Sequence, residues 1–299
     1  MPSHAASGHT RKPSRVFWGI GIALLSVGTA APMARMAEVN ALAIAFWRCT
    51  LGSAAIVPYL LWVRPAWPLG KPPATLLLAG IALAAHFAFW LGSLHFTSVA
   101  ASVVLVCTQP IFVTLLARVF LREKTGILAI AGIGIAFLGV VLIATDGEST
   151  STSMLGNAMA LVGALTVALY VLIGRSVRGT GMPLSWYTFV VYGSAGVTLW
   201  MAAHLASEPL TGFSTSSWTW IFAVALIPQL IGHTLFNWAL GYVKASTLSG
   251  TILVEPVIST ALAWWWLHEE PGWRTLLGGI VALSGLAILL RGQKPDRDT

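Results

Sequence analysis

Charged residues are scarce in this sequence. They make up 9% of the 299 residues, against about 25% in soluble globular proteins, while hydrophobic residues make up 57%. This balance excludes an ordinary soluble domain and indicates a polytopic membrane protein. The net charge of +7 comes from small basic groups between apolar runs, so the sequence has no basic stripe of the kind that binds nucleic acid.

Cysteines and catalytic motifs are also rare. Cys49 and Cys107 both lie inside apolar segments, which excludes a disulfide framework and a cysteine metal site. The histidines lack clustered cysteines or carboxylates, so we expect no metal and no cofactor. The sequence contains no HExxH motif, no G-x-S-G motif and no pair of in-membrane aspartates. An intramembrane enzyme would lack its reactive groups, and we predict that the protein is not an enzyme.

Apolar runs of about 20 residues predict ten transmembrane helices in an all-α membrane protein. They lie near 16–34, 41–63, 74–97, 98–121, 126–145, 155–177, 184–206, 218–242, 245–267 and 274–291. Of the 17 Lys and Arg residues, 14 fall in segments on one side of the membrane. The positive-inside rule therefore predicts that the N- and C-termini are both cytoplasmic.

The second half of the sequence repeats the first. With a shift of 146 positions, residues 110–139 align without a gap with residues 256–285, and ten of the thirty positions are identical. Each half has five predicted spans, an odd number, so the second half is inserted upside down relative to the first. The predicted division is a cytoplasmic tail, a five-helix repeat, an extracytoplasmic linker, an inverted five-helix repeat and a second tail, at 1–15, 16–145, 146–153, 154–291 and 292–299.

Three segments resemble one known family. They are "FWRCTLGSAA" around Arg48, "QPIFVTLLARVFLREKTG" with Glu123 near its end, and "EPVISTALAWWWLHEEPGW" with Glu269 in the matching place. The sequence looks like a ten-span member of the drug/metabolite transporter superfamily, of the EamA type, and is similar to bacterial exporters of aromatic and other amino acids. The resemblance implies efflux of small metabolites by alternating access, through a cavity lined mainly by spans 1, 3, 4, 6, 8 and 9. We expect Glu123 and Glu269 to tie loops.

Two helical faces carry polar and aromatic side chains inside predicted spans. Span 3 has His86, Phe89, Trp90 and Ser93 at i, i+3, i+4 and i+7, and span 8 has Gln229, His233 and Asn237 at i, i+4 and i+8. Both faces should turn inward, because lipid offers no hydrogen-bond partners. Trp238 and Tyr170 are further candidates for the cavity wall. The alternative is that these groups only bridge helices.

Glu255 is a carboxylic acid in the middle of span 9, followed by Pro256, and Gln109 with Pro110 hold the matching positions in span 4. The two prolines are candidate hinges, because proline removes a backbone donor and kinks a helix. Glu255 is the candidate coupling residue: it either locks the hairpin of spans 8 and 9 as a hydrogen-bond donor, exchanges a proton, or binds a substrate ammonium. Arg48 either reaches the outer headgroups, attracts a substrate carboxylate, or pairs with an acidic group.

These observations predict a secondary transporter of the bacterial inner membrane. We expect it to export small amphipathic metabolites, amino acids including aromatic ones, by alternating access. The open alternatives are a passive facilitator or channel and a carrier of another metabolite or drug class. The expected partners are the small-molecule substrate and the lipid bilayer, and the sequence gives no oligomeric state.

Overall fold

The computed structural model describes residues 13–67, 73–120, 126–144 and 153–292. These parts of the chain contain helices and connections and no strand. The α-helices α1 to α15 are Pro13–Val27, Ala30–Met36, Ala41–Ala54, Val57–Val63, Pro73–Ser93, Val99–Val106, Gln109–Phe120, Ile127–Ala144, Met154–Arg178, Leu184–Leu205, Thr215–Val224, Thr234–Ala239, Ala245–Thr251, Glu255–Leu267 and Trp273–Gly292. A π-helix, Ala225–His233, joins α11 to α12, and a 3₁₀-helix, Ile252–Val254, joins α13 to α14.

Within the part of the chain that the structure describes, eight helical segments are long and apolar enough to cross a membrane. They are Arg15–Met36, Ala41–Val63, Ala74–Ser93, Val99–Phe120, Met154–Arg178, Leu184–Leu205, Thr215–Ala239 and Leu248–Leu267. Two shorter apolar helices, Ile127–Gly139 and Trp273–Leu289, occupy the places of predicted spans 5 and 10. Helices suit this environment because every backbone hydrogen bond closes within the segment.

Side chains next to several helix starts satisfy free backbone amides. Asn40, Ser98, Ser153 and Ser214 each accept a hydrogen bond from the amide three residues ahead, at 2.7 to 3.1 Å. In the predicted topology, the four segments that follow these caps all begin on the same side of the membrane. Glu269 lies on that side too, so it is called the Glu269 end below.

The predicted spans 98–121 and 245–267 are not continuous α-helices. The first is interrupted between α6 and α7, and the second by the 3₁₀-helix before α14. In each case the new helix begins at the polar residue, Gln109 or Glu255, and proline is its second residue. Proline suits the first turn of a helix, where its missing N–H costs nothing, and it prevents a continuous α-helix through that point. The interruptions fall at equivalent positions of the sequence repeat.

The packing of α8 on α15 follows the repeat. A Cβ added to Gly139 would lie 2.5 Å from the carbonyl oxygen of Gly278, and one added to Gly285 would lie 2.7 Å from that of Gly132. The shift of 146 exchanges these two contacts, since it converts Gly132 into Gly278 and Gly139 into Gly285. The contact positions rise along α8 while they fall along α15, so the helices are antiparallel. An inverted repeat requires this arrangement.

Other contacts between the halves also come in exchanged pairs. Helix α5 packs on α9, and α1 packs correspondingly on the π-helix and α12. Helices α6 and α7 contact α9, and α14 contacts α1 and α2. Between the two halves, these elements leave a small central space, which holds the candidate site.

Candidate functional site

A cavity of about 60 Å³ lies where the two halves meet. Its walls come from α1, α2, α5, α6, α7, α9, the π-helix, α12, α13, the 3₁₀-helix and α14, which belong to predicted spans 1, 3, 4, 6, 8 and 9. This is the set of spans that the family resemblance implied. The walls are mostly apolar, with Val27, Ala30, Val106, Val167, Val171, Phe236, Leu240, Leu248 and Ile252 among the lining residues. The volume has room for a few water molecules.

The carboxyl group of Glu255 is the acidic group in the cavity wall. Glu255 is 6% exposed and is the first residue of α14. The N-terminus of a helix favours a negative charge. The thiol of Cys107 lies 3.7 Å from Glu255 Oε2 and equally far from the carbonyl oxygen of Ile252. Gln109, the repeat equivalent of Glu255, lines the same cavity, and its Oε1 is buried without a partner among the described residues.

Span 3 contributes an aromatic pair to the wall. The ring of His86 stacks on Trp90 at 5.5 Å between centroids and 9° between planes. Nδ1 of His86 lies 2.9 Å from the carbonyl oxygen of Gly163 and must donate to it, so the neutral ring keeps an acceptor at Nε2. Nε1 of Trp90 is a buried donor with no partner among the described residues. The cavity wall therefore offers an unpaired donor at Trp90 and an unpaired acceptor at Gln109.

Asn237 belongs to a hydrogen-bond network behind the opposite wall. Its Oδ1 accepts from the Tyr170 hydroxyl, and its Nδ2 donates to the Tyr192 hydroxyl at 3.1 Å. Tyr192 is also 3.2 Å from the Thr234 hydroxyl. The network joins α9, α10 and α12, so Asn237 and Tyr170 line the cavity and also bridge helices.

Arg48 does not reach the headgroups, because its side chain is fully buried at 0% exposure. Its Nε donates to Gln229 Oε1 at 2.9 Å, and its guanidinium carbon lies 3.8 Å from the centroid of the Phe87 ring. Phe87 contacts His233 edge to face at 5.3 Å. Gln229 therefore binds Arg48 and does not line the cavity. Of the three polar residues predicted on one face of span 8, His233 and Asn237 line it.

The structure brings together seven of the nine predicted cavity residues. They are His86, Trp90, Gln109, Tyr170, His233, Asn237 and Glu255. Phe89 and Trp238 lie outside the cavity: Phe89 is 42% exposed, and Trp238 packs against Tyr242 and beside Gly19. Successive residues of a helix point about 100° apart, and the cavity lies on the Trp90 side of α5 and the Asn237 side of α12. Pro110 and Pro256 stand at the helix interruptions, and their hinge role stays a prediction.

Sequence reasoning missed two features of the site. Cys107 lines the cavity, although it was not among the predicted cavity residues. The π-helix at Ala225–His233 was also unforeseen, although Pro228 inside an apolar run is a signal for irregular helix. Such helices are frequent at functional sites, and this one places both Gln229 and His233.

An ionic contact closes the bundle at the Glu269 end. Glu269 Oε1 accepts from the Val99 amide at 2.6 Å, and Oε2 lies 3.9 Å from Arg35 Nη2, which donates to the Thr97 carbonyl at 3.0 Å. Burial raises the pKa of Glu269 above its ordinary value, and Arg35 and the Val99 amide partly offset this rise. Glu269 thus ties a loop, as predicted, and holds α2, α6 and α14 together. Its repeat equivalent Glu123 lies outside the described residues.

A larger groove of about 560 Å³ runs between α14 and α15. Its lining residues include Val104, Pro256, Trp264, Leu276 and Ile280, and they are largely apolar. Among the described residues, its polar lining residues are Thr260, Glu270 and Thr275, fewer than in the central cavity, whose wall holds His86, Gln109, Tyr170, His233, Asn237 and Glu255. For this reason the central cavity is the better candidate for a binding site.

An all-helical bundle of apolar spans, with an inverted repeat around a central cavity that carries a few polar groups, defines a membrane transporter rather than an enzyme. The model of the EamA-like transporter family matches residues 14–145 and 154–291. The chain belongs to this family, within the drug/metabolite transporter superfamily, and is a multi-pass protein of the bacterial inner membrane.

Several relatives share most of the chain. An uncharacterized transporter, YdfC of Bacillus subtilis (strain 168), is 29% identical over 246 residues, which cover 81% of this chain and 79% of YdfC. A protein of Streptantibioticus cattleyicolor described as a probable terminal-alkyne amino-acid exporter is 25% identical, over 94% of this chain and 95% of its own. A crystal structure with a TM-score of 0.70 and 18% identity covers 93% of this chain and 96% of that one, and it shows the shared fold.

Proposed function

We propose that the protein exports small amphipathic metabolites, amino acids including aromatic ones, by alternating access. The observation that carries this proposal is the central cavity, where apolar walls surround a carboxyl group, two histidines and unpaired polar atoms of Trp90 and Gln109. A flat apolar ligand with a few hydrogen-bonding groups complements such a wall. The relative from Streptantibioticus cattleyicolor, which is described as a probable terminal-alkyne amino-acid exporter, supports the substrate class and the direction.

The proposed architecture has ten spans in two inverted five-helix repeats, 16–145 and 154–291, with both termini in the cytoplasm. This topology places the contact between Glu269 and Arg35 on the outer side, where it separates the cavity from the periplasm. The cavity of about 60 Å³ is much smaller than the roughly 300–1,000 Å³ of pockets that hold small ligands. Substrate binding therefore requires the halves to move apart, as in a carrier that closes around its site.

The experiment is counterflow in proteoliposomes. Vesicles are loaded with unlabelled amino acids, and uptake of the labelled compound is followed, with protein-free vesicles as the control. The proposal predicts saturable uptake that is accelerated by the same compound inside. If another metabolite class exchanges while no amino acid does, the substrate assignment is wrong. Uptake that neither saturates nor responds to internal substrate would favour a passive facilitator or channel.

A further inference from the structure

Arg48 is a buried cation with unused hydrogen-bonding capacity. Its Nη1 and Nη2 atoms are buried and have no partner among the described residues, while Nε is bound to Gln229. Arginine keeps its charge in proteins, and a charge buried inside a span costs several kcal/mol unless an anion compensates it. A guanidinium fork with two free nitrogens matches a carboxylate.

Arg48 lies behind the wall of the central cavity and is not one of its lining residues. Its guanidinium carbon is 3.8 Å from the centroid of the Phe87 ring, and that ring contacts the cavity residues His86 and His233 at 4.9 and 5.3 Å between centroids. The charge of Arg48 therefore acts on the cavity across one aromatic ring, and Glu255 is the carboxylic acid among the cavity-lining residues. Helices α7 and α14 add positive potential, because both begin at residues of the cavity wall.

From this arrangement we infer that Arg48 is the fixed positive charge by which the cavity selects substrates that carry a carboxylate, and zwitterions above all. The inference rests on the proposed transport function and adds the charge class of the substrate. When Glu255 is ionised, its charge and that of Arg48 cancel, and a zwitterion then keeps the site neutral. An amine adds an uncompensated positive charge, and an acid adds a negative charge unless Glu255 takes up a proton. In a low-dielectric cavity, uncompensated charge is strongly disfavoured.

This charge balance predicts an order of preference. Zwitterions should bind best, because the buried charge of Arg48 attracts the carboxylate from behind the wall, while an ionised Glu255 attracts the ammonium. Carboxylic acids without an amine should bind next best. Their affinity should rise as the pH falls, because their binding requires a proton on Glu255. Amines should bind least. His86, His233 and Cys107 are the other titratable groups that line the cavity, together with Tyr170.

The test uses four compounds with one side chain: phenylalanine, phenylalanine amide, phenethylamine and 3-phenylpropionate. Each competes with labelled phenylalanine in counterflow by the full-length protein. For the wild type we expect phenylalanine to compete at least about tenfold better than either amine. Arg48→Gln should shift the ratio of phenylalanine to phenethylamine toward the amine by about tenfold or more, and Arg48→Lys should keep most of the wild-type order. Arg64→Gln is the matched control, because Arg64 is exposed at the end of the same span and should leave the order unchanged.

Each outcome decides the inference. Equal competition by phenylalanine and phenethylamine in the wild type overturns it, and so does Arg48→Gln that slows all four compounds equally. If Arg48→Gln does not fold, Arg48→Lys and Glu255→Gln replace it in the test. Glu255→Gln should then make 3-phenylpropionate a better competitor relative to phenylalanine. Absence of counterflow by any amino acid contradicts the proposed function instead. In that case thermal stabilisation of the purified protein by the same four compounds decides, and stabilisation by the amines alone, or by no carboxylate, overturns the inference.

Discussion

One added methyl group at Gly139 tests the inverted packing of the two halves. A Cβ at this position would lie 2.5 Å from the carbonyl oxygen of Gly278 and 2.7 Å from Cβ of Ala282. Neither partner atom can rotate away, because one belongs to the backbone and the other is the first side-chain atom. Gly139→Ala must therefore push α8 and α15 apart, and overpacking of this kind costs roughly 1–3 kcal/mol.

The same helix offers a matched control. A Cβ at Gly134 meets nothing within 4 Å, so Gly134→Ala should be neutral or should stabilise the helix by up to about 1 kcal/mol. In large domains 1 kcal/mol corresponds to about 2–4 °C in Tm, so Gly139→Ala should lower the Tm of the detergent-purified protein by roughly 2–12 °C. Gly285→Ala, the repeat equivalent, should cost a similar amount. A Gly139→Ala protein that unfolds at the wild-type temperature, or a Gly134→Ala protein that loses as much, would refute the packing argument.

Three further predictions concern the cavity and its closure. Glu255→Gln removes the ionisable carboxyl group, so proton coupling predicts that counterflow loses its pH dependence; unchanged rates and an unchanged pH profile would leave Glu255 a structural residue. In a Cys49→Ala protein the remaining cysteine is Cys107, which is buried in the cavity wall, so a maleimide should label it slowly. Saturating substrate should slow the labelling further. A labelling rate that does not change with substrate would contradict the assignment of the site. Glu269→Gln removes the charge that faces Arg35, so labelling of Cys107 from the Glu269 end should rise. Burial raises the pKa of Glu269, so acidification should protonate it and weaken its contact with Arg35. Maleimide reacts with the thiolate, which becomes scarcer as the pH falls, so labelling should fall in both proteins but less steeply in the wild type than in Glu269→Gln. An equal fall in both proteins would assign the effect to another titratable group, such as His95 or Glu208 nearby.

Much of the fold was predictable, because hydrocarbon imposes simple rules on a sequence. Helical spans follow from apolar length, and the inverted orientation of the halves follows from the odd number of predicted spans in each. The contact of α8 with α15 was found only in the structure, where Gly132, Gly139, Gly278 and Gly285 allow the close approach. The prolines after Gln109 and Glu255 located the interruptions of two spans. Periodicity alone gave no sign of the π-helix, since a single proline in an apolar run is compatible with a kink, a break or a widened turn.

The candidate site was less predictable than the fold. Helical spacing identifies a face of a helix, but it does not show which edge of that face meets the cavity. The packing of α5 on α9 places Trp90 in the cavity wall and leaves Phe89 outside it. Arg48 shows the same limit more clearly. Its distance from the span end was compatible with an exposed position, and only the placement of Gln229 and Phe87 shows that it is buried. Contacts between distant segments determine these positions, and local sequence does not encode them separately.

The charged groups break the symmetry that the helices obey. The repeat equivalent of Arg48 is Ser194, and that of Glu255 is Gln109, so each charge occurs in one half only. By contrast, the pairs Phe87 with His233 and Trp90 with Phe236 keep ring side chains in both halves, and Phe87 contacts its own equivalent. The proposed alternation between two states requires a scaffold whose halves can exchange conformations, and the repeated helices are suited to this. The proposed recognition of a zwitterion requires a single positive and a single negative group near the junction of the halves. A fully symmetric site would hold two of each and would leave one pair unused in either state.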